Sequence, residues 1–129
     1  MRPHPEPSPG VGEAKEAVAF GQAWAEAWNR RDVEAVLAHF HDDAVFTSPV
    51  ARQVGFCQDG VVRGKEALRR YWKAALAQNP DLHFTVVSVF QGVDTIAIAF
   101  KTQKGLDRVE ILTFKHGLVV EGHGTFAAG

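Results

Sequence analysis

The sequence predicts an α+β fold in which a curved antiparallel sheet wraps on three N-terminal helices and forms a cone with an internal pocket. The first half of the chain carries apolar residues at helical spacing, whereas the last third alternates apolar and polar residues with the period of a strand. A short alternating stretch, residues 40–49, lies between two helical patterns and the later strands. Because helix and sheet layers meet there, this stretch is a natural place for a ligand cavity.

Composition and charge exclude several classes of protein. Of the 129 residues, 46% are hydrophobic and 22% are charged, which is ordinary for one globular domain. The formal net charge of −1 leaves no dominant basic surface for nucleic acid. No apolar run reaches the ~18 residues of a membrane-spanning helix, and a single cysteine, Cys57, fits a reducing compartment. We therefore predict a cytoplasmic protein with no nucleic-acid or membrane partner.

The beginning of the chain differs from the rest. Four of the six prolines lie within residues 1–10, and each lacks an N–H donor and restricts the residue before it. We predict a disordered tail over residues 1–11, followed by a single domain over residues 12–129.

Three helices are predicted from apolar spacing. Residues 12–30 place Trp24 and Trp28 on one face, and Asp32 then caps a second, shorter helix. A third helix over residues 65–79 buries a face that includes Tyr71 and Trp72 and ends before Pro80. Between the second and third helices, residues 50–63 are predicted to be a loop with turns at its glycines.

Five strands are predicted from alternation. In residues 40–49, Ala44, Phe46 and Ser48 point one way, and Pro49 ends the strand because it has no N–H for a ladder. The later strands span residues 82–91, 95–102, 107–114 and 118–126. In the first of these, Val86, Ser88 and Phe90 are expected to share a face.

Two registers are open for the final hairpin. A two-residue loop, His116-Gly117, would place Glu110 opposite His123 as an acid–base dyad, but it needs positive φ at the histidine. We prefer a three-residue loop over residues 115–117, which needs positive φ only at Gly117. Glu110 then faces Gly122, and Arg108 faces Gly124, leaving empty volume above the sheet as strand glycines often do.

The opposite face of the sheet is also apolar. It is predicted to carry five branched residues, while three helices can cover only one side of the sheet. The five are Val87, Val89, Val109, Ile111 and Val119. We therefore predict a homodimer formed through the sheet.

Three motifs give the chain a family resemblance over residues 14–126. They are WNRRD at 28–32 leading to Phe40, DDAVF at 42–46 with Pro49, and RGKEAL at 63–68. Together with the order of elements, they resemble the nuclear transport factor 2-like superfamily, in its SnoaL-like and ketosteroid-isomerase-like branch. The resemblance implies a curved sheet wrapped on helices, a conical apolar pocket and frequent dimers.

Catalytic residues of related branches are only partly retained. Where ketosteroid isomerases have a general-base aspartate, this chain has Ser48, and where they have an oxyanion tyrosine it has Trp24. Their oxyanion acid corresponds to Glu110, which is retained. The limonene epoxide hydrolase branch is similar in its arginine–x–acid pair, here Arg108 and Glu110, but the acid of its last strand falls near Gly124. By this resemblance, Glu110 is the one acid that the chain shares with both branches.

Glu110 is the strongest catalytic candidate. In the pocket, burial would raise its pKa, whereas Arg108 would lower it. One interpretation makes Glu110 a general acid or base that Arg108 tunes; the other makes the two residues a structural ion pair. The remaining ligand-binding candidates are Trp24, Trp28, Phe46, Ser48, Phe56, Trp72, Leu112, Gly122 and Phe126.

No metal or other cofactor is predicted. His39, His41, Asp42 and Asp43 are close in sequence, but histidines two apart at a helix end diverge. Cys57 has no neighbouring fixed cation and is expected to be inert. We expect a small apolar molecule as ligand, with Ser48 and Trp24 orienting it. The protein is then a cofactor-free isomerase, cyclase or hydrolase, or alternatively a non-catalytic ligand-binding or dimerisation module.

Overall fold

The structure is a computed structural model that describes residues 14–129, so the tail predicted at 1–11 lies outside it. The chain forms helices and strands in an order close to the predicted one. The helices are α1 (Ala14–Asn29), α2 (Val33–Leu37), α3 (Pro49–Gln53) and α4 (Lys65–Gln78). The strands are β1 (Phe40–Thr47), β2 (Val61–Arg63), β3 (Thr85–Gly92), β4 (Thr95–Lys101), β5 (Asp107–Lys115) and β6 (Leu118–Phe126).

The six strands form one sheet in the order β2-β1-β6-β5-β4-β3. Neighbouring strands are antiparallel, except that β1 and β6 run parallel. Helix α1 packs against β3 and helix α4 against β1, so both long helices cover the same face of the sheet. The α+β class predicted from the sequence is confirmed. The core lies between these helices and the inner face, the face of the sheet that they cover.

The corner between α1 and α2 joins distant parts of the fold. Asp32 accepts a hydrogen bond from the backbone N–H of Ala35 at 3.0 Å, which confirms the predicted helix cap. The Arg31 guanidinium donates to backbone carbonyls at the end of α4, including that of Asn79 at 3.2 Å. The Asn29 amide donates to the Phe84 carbonyl at 2.9 Å and accepts from the Phe84 N–H at 2.7 Å. These contacts fix the corner against the segment that follows α4.

The segment predicted to be a loop, residues 50–63, contains both α3 and β2. Ser48 caps α3 by accepting from the N–H of Ala51, and Pro49 occupies the first turn, where its missing N–H costs nothing. The prediction that Ser48 continues strand β1 is therefore wrong, because its hydroxyl is used at the helix start. Val62 of β2 is buried, and β2 forms an edge of the sheet.

The register of the final hairpin differs from both predicted alternatives. His116 and Gly117 have φ of 52° and 81°, so the loop has two residues and Lys115 pairs with Leu118. A bulge at Val120 then shifts the pairing by one residue. Below the bulge, Leu112 pairs with Gly122, Glu110 with Gly124, Arg108 with Phe126 and Ile111 with His123. The preferred three-residue loop is wrong, and the dyad between Glu110 and His123 does not form.

Bulges also change the outer face of the sheet, which is the face away from α1 and α4. A register shift between Val86 and Ser88 turns Val89 towards the core and leaves Phe90 62% exposed, so the face predicted for Phe90 is wrong. Val119 is completely buried rather than outward. Val87, at 58% exposure, remains on the outer face, and Val109 and Ile111 are half-buried.

Candidate functional site

A cavity of about 230 Å³ lies between the inner face and helices α1 and α4. Aromatic side chains make up most of its apolar wall, namely Trp24, Trp28, Phe46, Trp72, Phe84, Phe100 and Phe126. Polar groups in the lining are Ser48, Tyr71 and Asn79 on the helical side, Arg108 and Glu110 on β5, residues 102–104 after β4, and Thr125 on β6. An apolar cavity with a few converging polar groups is the usual form of a small-molecule site.

Glu110 is the buried acid of this cavity. It lies in the middle of β5, points to the inner face and is only 8% exposed. Burial raises its pKa to about 8, because desolvation disfavours the ionised form. Among residues 14–129, no side chain or backbone group forms a hydrogen bond with its carboxyl group. Glu110 is therefore mostly neutral at pH 7 and can donate its proton into the cavity.

Gly124 leaves space beside this acid. A Cβ at Gly124 would lie 3.6 Å from Glu110 Oε1 and 3.7 Å from the Phe46 ring, which are ordinary contacts. At Gly122 a Cβ would lie 2.7 Å from the Phe46 ring, so the ring already fills that space. Of the two glycines predicted to leave a hollow, Gly124 is the one that opens beside Glu110.

Arg108 does not form the ion pair with Glu110 that we considered. Its guanidinium carbon lies 4.0 Å from the centre of the Phe126 ring, in a cation–π contact. Burial lowers the Arg108 pKa, and no carboxylate in the described part of the chain forms an ion pair with it. The Glu110 pKa accordingly reflects burial and not the neighbouring arginine.

A pair of hydroxyl groups forms the other polar part of the wall. Ser48 Oγ and the Tyr71 hydroxyl are 2.9 Å apart and hydrogen-bonded. Burial raises the Tyr71 pKa, the hydrogen bond with Ser48 opposes this, and the nearby Glu110 adds to the rise. The sequence predicts Tyr71 only as part of the buried face of its helix. The available signal was that a buried tyrosine hydroxyl requires a polar partner.

The predicted aromatic residues mostly line the cavity. Trp72 makes edge contacts with Trp28 at 5.4 Å and with Phe46 at 5.5 Å, while Trp24 stacks on Phe84 at 5.5 Å. The indole nitrogens of Trp24 and Trp28 are buried and have no partner among residues 14–129. The indoles thus form the wall around the cavity and leave its volume open.

Three predicted ligand-binding residues lie outside the cavity lining. Phe56 is 38% exposed and contacts the Tyr71 ring at 5.2 Å. Leu112 is completely buried, and Gly122 lies beneath Phe46. These residues support the wall from behind.

The remaining polar candidates do not enter the cavity. The two His123 ring nitrogens are hydrogen-bonded to Thr47 at 2.6 Å and to Glu121 at 2.7 Å, away from Glu110. Within residues 14–129, no three His, Cys, Asp or Glu side chains are grouped as metal ligands. The helices of this part of the chain include none with the length and apolar character needed to span a membrane.

Comparisons with known proteins extend this picture. The sequence model of the SnoaL-like domain matches residues 22–122. A SnoaL-like protein of unknown function from Burkholderia thailandensis is 34% identical, with a TM-score of 0.85 over 92% of this chain and 99% of that chain. No curated protein matches significantly.

Two more distant structures share the fold. A putative ketosteroid isomerase from Kribbella flavida is 18% identical, with a TM-score of 0.67 over 86% of this chain and 77% of that chain. AclR, a putative hydroxylase from Streptomyces galilaeus, is 23% identical, with a TM-score of 0.68 over 89% and 77% of the two chains. At these identities the likeness concerns the fold alone.

Proposed function

This chain belongs to the SnoaL-like family, and on that premise we propose that it binds a small, largely apolar molecule and transforms it by cofactor-free acid–base chemistry. The observation that carries the proposal is a buried Glu110 beside an open aromatic cavity. Buried acids with a raised pKa in a cleft are concentrated at functional sites. Isomerase, cyclase and hydrolase reactions all use such an acid.

The number of acids in the wall favours isomerisation or cyclisation. Glu110 is the one carboxyl group among the described residues that line the cavity. It can protonate an oxygen of the ligand and, once ionised, remove a proton from another position. Ser48 and Tyr71 supply hydroxyl groups that can hold a polar part of the ligand. A hydrolase of the limonene epoxide type activates water between two acids. The described lining of this cavity contains no second carboxyl group for that reaction.

The proposal is tested by a substitution that removes the Glu110 carboxyl group and keeps the shape of the side chain. A thermal-shift screen of terpenoids, steroids and polyketides identifies a ligand, whose turnover is then followed by chromatography and mass spectrometry. We expect Glu110→Gln to lower kcat by at least about 100-fold, the usual contribution of acid–base catalysis. Glu121→Gln is the matched control, because this glutamate is exposed on the neighbouring strand. Equal turnover by Glu110→Gln and wild type would refute the catalytic role.

The alternative is a non-catalytic binding or dimerisation module. Such a module has no need for an acid beside open volume and is expected to fill its interior with indole rings. The open space beside Glu110 and Gly124 supports the catalytic proposal over this alternative. Binding of screened compounds with no turnover under any condition would favour the module.

We also propose that the protein is a cytoplasmic homodimer formed through the outer face of the sheet. Val87 and Phe90 are 58% and 62% exposed, and Ile111 is half-buried near the middle of the sheet. An apolar sheet face of this kind is usually covered by another chain. The single cysteine suits a reducing compartment.

Sedimentation velocity at micromolar concentration tests the dimer. We expect the wild type to sediment as a dimer and Ile111→Lys as a monomer, because the lysine would place a charge within the apolar contact. Val18→Lys, which makes a comparable apolar-to-charged change at an exposed position of helix α1 away from the outer face, serves as the control. A wild-type protein that remains monomeric would overturn the proposal.

A further inference from the structure

The charges around the cavity are unbalanced. Its described lining carries two cationic side chains, Arg108 and Lys104, and one carboxyl group, Glu110. Because its pKa is raised to about 8, Glu110 is mostly uncharged at neutral pH. The wall therefore carries two positive charges that no anion of the wall offsets.

Arg108 is the cation that most needs a partner. It is half-buried, lies over the Phe126 ring, and forms no ion pair in the described part of the chain. Partial burial of a cation costs free energy unless an opposite charge approaches it. A guanidinium also offers paired N–H donors in the geometry that suits a carboxylate.

Arg108 and Glu110, the two polar side chains of β5 in the lining, lie at different depths of the cavity. Arg108 and Glu110 are two residues apart on the same face, which places their Cα atoms about 7 Å from each other. Lys104 and Leu106 are exposed next to Arg108 on the connection between β4 and β5, so this end is the mouth. Glu110 lies deeper, among the aromatic rings.

We propose that the natural ligand is a compact organic anion, whose ring system lies among the tryptophans and whose carboxylate binds Arg108 and Lys104 at the mouth. This inference rests on the proposed function and specifies its class of substrate. An engineered apolar cavity of about 150 Å³ binds benzene, so a cavity of about 230 Å³ has room for a fused two-ring compound. The carboxylate positions the ligand, and Glu110 meets a polar group about 7 Å further in.

Matched acid–amide pairs test this proposal. The probes are 2-naphthoate with 2-naphthamide, and benzoate with benzamide, titrated by calorimetry at pH 7 and low salt. Each pair differs in charge and hardly in shape. We expect the wild type to bind at least one acid about tenfold or more tightly than its amide, because a charge pair in a partly dry site is stronger than a neutral hydrogen bond. Added salt reduces this preference.

Variants identify the side chains responsible. Arg108→Met keeps an apolar stem over Phe126 and is expected to abolish the preference for the acid, while Lys104→Met, on an exposed turn, reduces it without affecting the fold. Lys115→Met removes a cation of the same strand outside the cavity and leaves the preference unchanged. Circular dichroism checks that each variant is folded.

The outcomes separate this inference from the proposed function. If an amide binds as tightly as its acid to the wild type, the cavity still binds apolar molecules and the anion inference is overturned. A preference for the acid that survives both Arg108→Met and Lys104→Met also overturns it. If no probe binds the wild type, the anion inference is overturned, and the ligand-binding function is judged separately by the thermal-shift screen.

Discussion

At pH 9 we expect Glu110→Gln to be more stable than the wild type by several kcal/mol, whereas at pH 5 the two proteins should be similar. The reason is the pKa of Glu110, which burial raises from 4.5 to about 8. Below pH 4.5 the acid is protonated in both folded and unfolded chains. Between pH 4.5 and 8 the unfolded chain loses this proton and the folded chain keeps it, so the free energy of unfolding falls as the pH rises.

The size of this effect follows from the two pKa values. At about 1.4 kcal/mol per pH unit, the rise from 4.5 to about 8 corresponds to roughly 5 kcal/mol lost by the wild type above pH 8. Glutamine has a similar shape and no proton to lose, so its variant lacks this loss. Glu110→Gln is thus expected to gain stability at alkaline pH while losing activity.

Urea denaturation at pH 5, 7 and 9 measures the difference between the two proteins. The other titratable groups are the same in both proteins, so their contribution cancels when one free energy of unfolding is subtracted from the other. Glu26→Gln is the control, because this glutamate is exposed on α1 and forms no ion pair among residues 14–129, so its change should leave the pH dependence close to that of the wild type. Parallel curves for wild type and Glu110→Gln would show that Glu110 titrates normally.

The second large effect is expected at Gly122. An alanine Cβ there would lie 2.7 Å from Phe46 Cδ2 and 3.1 Å from Leu112 Cδ2, and both side chains are held in the packed core. Inserting a methyl group into such a site costs about 1–3 kcal/mol. We therefore expect Gly122→Ala to be clearly destabilised in urea or thermal unfolding.

Gly124→Ala is the matched comparison. It makes the same chemical change two residues away on the same face, where the new methyl group meets Glu110 and Phe46 at ordinary contact distances. We expect it to fold with stability near that of the wild type and to weaken ligand binding, because the methyl group occupies space beside the acid. Equal stability losses at the two positions would contradict the difference in packing.

Elements with a strong period were predictable from the sequence. The stripe of Trp24 and Trp28 indicated α1, and the position of Asp32 indicated the start of α2, because helical spacing and capping are local properties. The pairing of distant strands was not predictable to the same degree. Bulges at Val120 and between Val86 and Ser88 have no period in the sequence, and each reverses the faces of the residues beyond it.

The glycine beside Glu110 illustrates this limit. The predicted three-residue loop and the observed combination of a two-residue loop with a bulge shift the pairing by different amounts. The predicted and observed registers differ by an even number of residues, and an even change keeps the same residues on the same face of the sheet. Glu110 therefore still lies opposite a strand glycine, which is Gly124 instead of Gly122. The face was therefore correct and the partner was wrong. The contacts of Arg108 with Phe126 and of Tyr71 with Ser48 join separate elements, which spacing does not reveal.

All three tryptophans of the chain lie in the wall of one cavity. Every indole emission of the protein therefore originates within contact distance of whatever enters there. A bound molecule changes the polarity around all of these fluorophores together, and a ring system whose absorption overlaps the indole emission would quench them by energy transfer. The unlabelled protein is thus its own optical reporter of occupancy.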